Sequence, residues 1–308
     1  MKNQPPSKWI VLCVFLILLF ATLACGLDFG QSDETEDIRI QQTIVALQMT
    51  QAALEDQEPM VIEETPTEGP APTPTPTMSA ETPDVNFEGI SFSYDQNIAR
   101  TIIPGIIQGQ NLGEEHMPGD TYPSYIEFSF DTYAVSDHFH DPKIRIYPVE
   151  EYRIINPSAA NIIDELQQTL INKPGGGAMS KLPFLPMWNA AQMYSANVEY
   201  IDFQNGSGLR YLTMFGQAIY PIDNMNLFYT FQGITDDGRY YISAILPVIH
   251  GGLPNDGASL LEDYEGFIEN WDNYLAESLT WLEEQTPQSF LPNLEDLDAM
   301  MSSFVITR

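Results

Sequence analysis

Two punctuated pairs of apolar runs, between residues 197 and 248, restrict this chain more than any other part of it. Residues 198–203 and 209–219 flank Asn205-Gly206-Ser207-Gly208, and residues 227–234 and 239–247 flank Asp236-Asp237-Gly238. The runs alternate aromatic and aliphatic with small or polar side chains, the period of a strand whose faces differ. Asx-Gly pairs tolerate the positive φ of tight turns, so each pair of runs predicts a hairpin. Two hairpins in series make an antiparallel meander. Tyr211, Tyr220, Phe228, Tyr229, Phe231, Tyr240 and Tyr241 load it with aromatic area for a core on one face and cross-strand pairs on the other.

The flanking sequence adds strands before the meander and helices on both sides of it. Ile90, Phe92 and Tyr94 alternate within residues 85–94, Ile126, Phe128 and Phe130 share parity within 125–131, and Ile144, Ile146 and Pro148 do so within 143–149. Asn156-Pro157-Ser158 is a helix start, after which Ile162, Ile163, Leu166, Leu170 and Ile171 form an apolar face that Pro174 and Gly175-Gly176-Gly177 end. The triple glycine reads as a loop, because the strand–loop–helix setting and terminal Lys-Ser/Thr of a phosphate cradle are missing. A long helix is expected over 259–285, with Leu260, Tyr264, Phe267, Ile268, Trp271, Leu275, Leu279 and Leu282 on one side. Asn293 caps a short helix with acids in its first turn, and 304–306 can be a last strand. Grouped strands with helices before and after define an α+β class, not a parallel βαβ sheet.

An early strand around Ile90-Ser91-Phe92, a meander, a long helix and the terminal Leu297-Asp298-Ala299-Met300-Met301-Ser302-Ser303-Phe304-Val305-Ile306 together resemble the PsbP-like fold. That resemblance implies a small antiparallel sheet between helices in an exported or lipid-anchored assembly or binding factor. It covers the two ends of the domain. Residues 105–186 exceed what that fold requires, and no functional residue of the family maps onto this chain.

The start of the chain sets its location. Lys2 and Lys8 precede an apolar run over 9–23 that closes on Ala24-Cys25-Gly26, the three parts of a secretory signal. Ala21-Thr22-Leu23-Ala24-Cys25 resembles a bacterial lipobox, with Thr22 where the commonest pattern has leucine. The resemblance implies cleavage before Cys25 and lipid on its new N-terminus. An uncleaved membrane helix is the alternative, since residues 9–27 carry no charge over 19 positions, close to the roughly 20 that span a bilayer. Both readings put the remainder outside the cytoplasm, because positive charge precedes the apolar run and acid follows it.

The organisation that follows is a signal peptide over 1–24, an anchor cysteine and amphipathic stalk helix over 25–58, a Pro/Thr-rich linker over 59–84 and an extracytoplasmic α+β domain over 85–308. Ile40, Ile44, Leu47, Gln51 and Leu54 recur at spacings of four and three, with Val45 and Met49 widening the stripe. Such a stripe suits a solvated stalk or a short parallel coiled coil that gathers copies into a homo-oligomer. Pro66, Pro70, Pro72, Pro74 and Pro76 favour polyproline II and disfavour helix and sheet, so the linker is expected to be disordered and extended.

Composition excludes one function class and locates the little chemistry present. Cleavage removes Lys2 and Lys8 and no acid, taking the formal charge from -31 to -33. A surface of that sign repels nucleic acid and anionic headgroups, so nucleic acid is not an expected partner. Of the two cysteines, Cys13 lies in the signal and Cys25 at the anchor, which leaves the domain without a disulfide. The densest of the histidines lie in Asp137-His138-Phe139-His140-Asp141. His138 and His140 would point to one side of a strand, and Asp137 or Asp141 can complete a transition-metal site; the alternative is a polar loop beside Pro142. No Gly-x-Ser-x-Gly elbow occurs, and Ser207 between glycines suits a turn. No cofactor is implied. The expectation is a membrane-anchored lipoprotein that binds an envelope protein or small ligand, with an envelope hydrolase or metal-binding protein using the Asp137–Asp141 cluster as the alternative.

Overall fold

The computed structural model describes residues 84–113, 116–174 and 181–308. The signal segment, Cys25, the stalk helix over 38–57, the proline-rich linker and the triple glycine lie outside the described residues. The fold is α+β. The first expected strand is a hairpin: β1 (Asp84–Phe87) turns through Glu88 and Gly89 into β2 (Ile90–Ser93). Both turn residues have positive φ, 49° and 75°, the geometry whose twist matches antiparallel strands.

The chain then builds two meanders that share one sheet. β3 (Ala99–Ile107), β4 (Tyr125–Tyr133) and β5 (Lys143–Pro148) form the first. Helices α1 (Val149–Ile155) and α2 (Pro157–Asn172) follow, the latter capped as expected by Asn156, whose Oδ1 accepts from the Ala159 N–H at 3.1 Å. After β6 (Ala191–Gln192) come β7 (Ala196–Phe203), β8 (Gly206–Thr213), β9 (Phe215–Gly216), β10 (Phe228–Thr235) and β11 (Tyr240–Pro247). The main sheet has seven antiparallel strands in the order β3-β4-β5-β11-β10-β8-β7, so the two meanders join through β5 and β11. The β7–β8 hairpin turns at Gln204-Asn205, one residue before the expected pair. Gly206 is already in the strand, where a Cβ would lie 2.2 Å from the Phe203 ring.

β12 (Ile249–His250) leads to α3 (Tyr264–Glu269), α4 (Trp271–Glu283), β13 (Phe290–Leu291), α5 (Leu294–Ser302) and β14 (Val305–Ile306). The long helix expected over 259–285 is broken into α3 and α4. Asp263 restarts the helix by accepting from the Gly266 N–H at 3.0 Å, and Asn270 separates the two pieces. Leu260, Tyr264 and Ile268 are consequently exposed, while Leu275, Leu279 and Leu282 on α4 are buried.

Each face of the main sheet carries its own core. On one face Ala159, Ile163, Leu166 and Leu170 of α2 pack with Leu209, Tyr211, Phe228 and Tyr241 of the sheet. Ile171, expected on that face, points to solvent. On the other face α4, α5 and a small sheet of order β1-β2-β14 cover Phe128, Ile144, Tyr229 and Ile242. Phe92 stacks on Phe304 at 4.2 Å and meets Phe128 edge-on at 5.1 Å. The middle of both faces is covered, while the edge strand β3 leaves Ile103 and Ile106 exposed.

Candidate functional site

The sheet has two loop ends, and the predicted metal residues occupy one of them. The β4–β5 connection carries residues 134–142 to that end, where they meet the 214–227 connection that precedes β10. His138 Nε2 lies 2.8 Å from the Leu227 carbonyl oxygen, while Nδ1 accepts from the His140 N–H at 3.0 Å. A ring nitrogen facing a carbonyl must carry the proton, so Nδ1 holds the lone pair, and the His140 amide uses it. The Phe139 N–H donates to the Met225 carbonyl at 2.9 Å, which ties the same two loops a second time.

His140 is held by rings. It stacks on Trp188 at 4.7 Å with 6° between the planes and meets Phe228 edge-on at 4.8 Å. Trp188 and Phe184 arrive on the 181–188 segment, which the sheet grips through polar groups in its core. The Leu185 N–H donates to Gln232 Oε1 at 3.0 Å, Ser243 Oγ donates to the Leu185 carbonyl, and the Tyr211 hydroxyl donates to the Pro183 carbonyl at 2.9 Å. Burial lowers the pKa of His138, opposed by the Leu227 carbonyl and Asp223. Burial and the neighbouring His138 lower His140 to about 4.

Asp137 and Asp141 are exposed and flank the two rings. Asp137 has φ 56° and accepts from the Ser136 hydroxyl at 3.3 Å. Among the described residues no group of three His, Cys, Asp or Glu side chains is placed to hold a metal ion. As folded, the pair His138 and His140 joins loops and packs on Trp188, and the two aspartates remain at the surface.

The opposite end of the sheet is open. Three clefts of about 320, 180 and 320 Å³ lie there side by side. Glu151 is in the wall of all three, and the second and third also share Pro148 and Tyr240, so they form one trough. One arm is apolar, between Tyr122 and Pro123 of the β3–β4 loop and Ile154 and Ile155 of α1. The middle runs past Ile106 and Tyr240, and the far arm ends at the β10–β11 turn with Asp237, Gly238 and Arg239.

Both walls are tied to the body of the fold. Asn156 Nδ2 donates to the carbonyls of Pro118 and Thr121 at 2.7 and 2.8 Å, which fixes the β3–β4 loop beside the helices. Arg153 of α1 pairs with Asp164 of α2 at 2.6 Å and donates to Gln167 at 3.3 Å, while Tyr152 is buried beneath them. At the far arm Arg239 is engaged with the Arg308 carbonyl at 2.8 Å and lies 5.5 Å from the Tyr240 ring centre. The Thr235 hydroxyl, donating at 2.6 Å, and the Arg239 amide hold the Asp237 carboxyl below its usual range. Glu150 and Glu151 make no side-chain hydrogen bond or ion pair among the described residues.

The remaining ionic groups brace the fold. Glu127 on β4 is buried and meets Lys143 at 3.2 Å and Arg145 at 3.0 Å, both on β5. Arg210 on β8 pairs with Asp298 of α5 at 3.2 Å and donates to the Asn197 carbonyl, and the Tyr229 hydroxyl donates to Asp298 at 3.0 Å. Burial raises the Asp298 pKa, against the pull of Arg210. These clusters fasten strands and a helix to one another and open onto neither loop end.

No protein-family model matches the chain, and no curated protein matches it. No described helix is long and apolar enough to cross a membrane. Sequence reasoning assigned no trough residue to a site, reading Ile126, Ile146, Pro148 and Tyr240 as strand and Asp237 and Gly238 as turn. A usable signal was present in Glu150-Glu151-Tyr152-Arg153-Ile154-Ile155, where a helical turn that buries Tyr152 must leave Ile154 facing outward.

Proposed function

We propose that this chain is a membrane-tethered extracytoplasmic lipoprotein whose α+β unit binds a partner through the trough around Glu151. The observation that carries the reading is a contrast in hydrogen bonding. The histidine end turns both His138 ring nitrogens onto its own loops and packs His140 between rings, whereas the trough keeps Glu151 without a partner among the described residues beside apolar side chains. Grooves that combine apolar walls with a few convergent polar groups are where ligands bind. Support for the tether is the cationic, then apolar, then Ala-Cys pattern that ends at Cys25. Fixing the unit to a surface raises its effective concentration toward partners on that surface without any new contact.

The tether is tested by palmitate labelling and membrane fractionation of the full chain beside its Cys25→Ala variant. Loss of label together with release from the membrane fraction is the expected result. Unchanged labelling and association in the variant would overturn the lipid anchor.

A further inference from the structure

We propose that the trough takes an extended polypeptide segment bearing a Lys or Arg side chain between two apolar ones; this rests on the trough being the binding site. The shape comes first. Three recesses in series, each a few hundred cubic ångströms or less, meet at one side chain, Glu151. A compact small molecule would fill one recess and leave the others wet. An extended chain projects alternate side chains to one side every two residues, about 6.6 Å apart, and so fills successive recesses.

The chemistry of each recess fixes what enters it. The arm between Tyr122, Pro123, Ile154 and Ile155 offers carbon surface, and Ile154 is 72% exposed, so an apolar side chain there removes water from both partners. Glu151 stands at the junction and Glu150 in the far arm, both in the first turn of α1, which the Arg153–Asp164 pair holds in place. Glu151 shares the middle recess with Arg308, and both glutamates share the far arm with Arg239, yet neither carboxylate forms a hydrogen bond or ion pair among the described residues. A cationic side chain seated between the two apolar ones would pair with Glu151. The Tyr240 ring and Ile106 then offer the second apolar contact.

Long-range charge selects in the same direction. The chain carries 43 acidic against 12 basic residues, so its field draws in cationic segments and repels acidic ones before any contact forms. That argument also excludes an anionic bilayer as occupant of the trough. A small polycation would satisfy the carboxylates but leave the Ile154 arm uncovered, which makes it separable by experiment.

The test uses the full chain in non-ionic detergent and fluorescence anisotropy of a labelled pentapeptide, Ile-Ser-Lys-Ser-Phe. Two counterparts accompany it, one with Glu for Lys and one with Ser for both Ile and Phe. The parent peptide is expected to saturate, each counterpart to bind at least tenfold more weakly, and Glu151→Lys and Ile154→Asp each to weaken the parent at least tenfold. Phe139→Ser, at the other end of the sheet, should leave binding unchanged. Both trough side chains are exposed, and equal thermal midpoints confirm that the variants fold.

Absence of parent binding, equal binding of the Glu counterpart, or displacement by spermidine as effective as by unlabelled parent peptide would each overturn the assigned ligand. Should Glu151→Lys and Ile154→Asp abolish binding of all three peptides alike, the trough stands as the site and only this ligand chemistry falls. If the peptides bind and neither variant matters, the trough itself is wrong.

Discussion

The two loop ends of the seven-stranded sheet are built from the same strands and treat their polar groups in opposite ways. At one end His138 uses both ring nitrogens on main-chain groups, and His140 is closed between Trp188 and Phe228. At the other, Glu151 has no side-chain partner among the described residues and lies beside Ile154 in a trough whose walls are fixed by Asn156 and Arg153. The difference teaches that the type of a residue is a weaker guide to function than the state of its lone pairs. A histidine whose nitrogens are both engaged has little left to offer a ligand, while a carboxylate on a rigid rim with no partner has its full bonding capacity in reserve.

Three measurements probe this contrast. The largest effect should come from Phe228→Ala, since Phe228 is fully buried and lies within 6.2 Å of His140, Phe184, Trp188 and Phe215. Removing it should cost about 3–5 kcal/mol in urea unfolding, the range for a buried aromatic. A loss below about 1 kcal/mol would mean that this end is not closed by packing.

Acidification should act on the same end. Folded His140 titrates at about 4, below its ordinary value, so between those two pH values the unfolded chain binds more protons than the folded one. The stabilisation is complete above about pH 6.5 and is lost as pH falls toward 4, by about 2–3 kcal/mol after allowance for partial exposure. His140→Phe keeps the stack on Trp188 and should flatten that part of the stability profile; an unaltered profile would break the account. The smallest effect belongs to the trough, where Glu151→Lys and Ile154→Asp should each change unfolding free energy by no more than about 0.5 kcal/mol, as exposed substitutions do. A larger loss would make these residues part of the fold's support and remove the contrast.

Elements were legible in the sequence where local chemistry alone decides. Asn156-Pro157 and Asn293 mark helix starts because their side chains cap the next turn, and the paired runs around Asn205 and Gly238 could only be hairpins. β3 was missed because Pro104-Gly105 reads as a breaker; on an edge strand proline is tolerated, since one row of amides faces no neighbour. α1 was missed because seven residues give too little periodicity. The stripe from Leu260 to Leu282 predicted one helix, whereas the local cap at Asp263 prevailed over the pattern. Beyond the outward-facing Ile154, the assembly of the trough was not legible: Tyr122, Glu151, Tyr240 and Arg308 come from four separated segments, and only the register of β4, β5 and β11 brings them to one end.

The small sheet β1-β2-β14 also has a mechanical meaning. Among the described residues β1 lies at its edge and pairs only with β2, while β14 holds β2 from the other side and the Thr307 N–H donates to the Gly89 carbonyl at 2.8 Å. A pull transmitted to Asp84 therefore peels one short strand before it loads the seven-stranded sheet. Four residues at about 3.3 Å each yield about 13 Å of slack. Under such a pull β1 is the length expected to part first, while β2 and β14 hold each other.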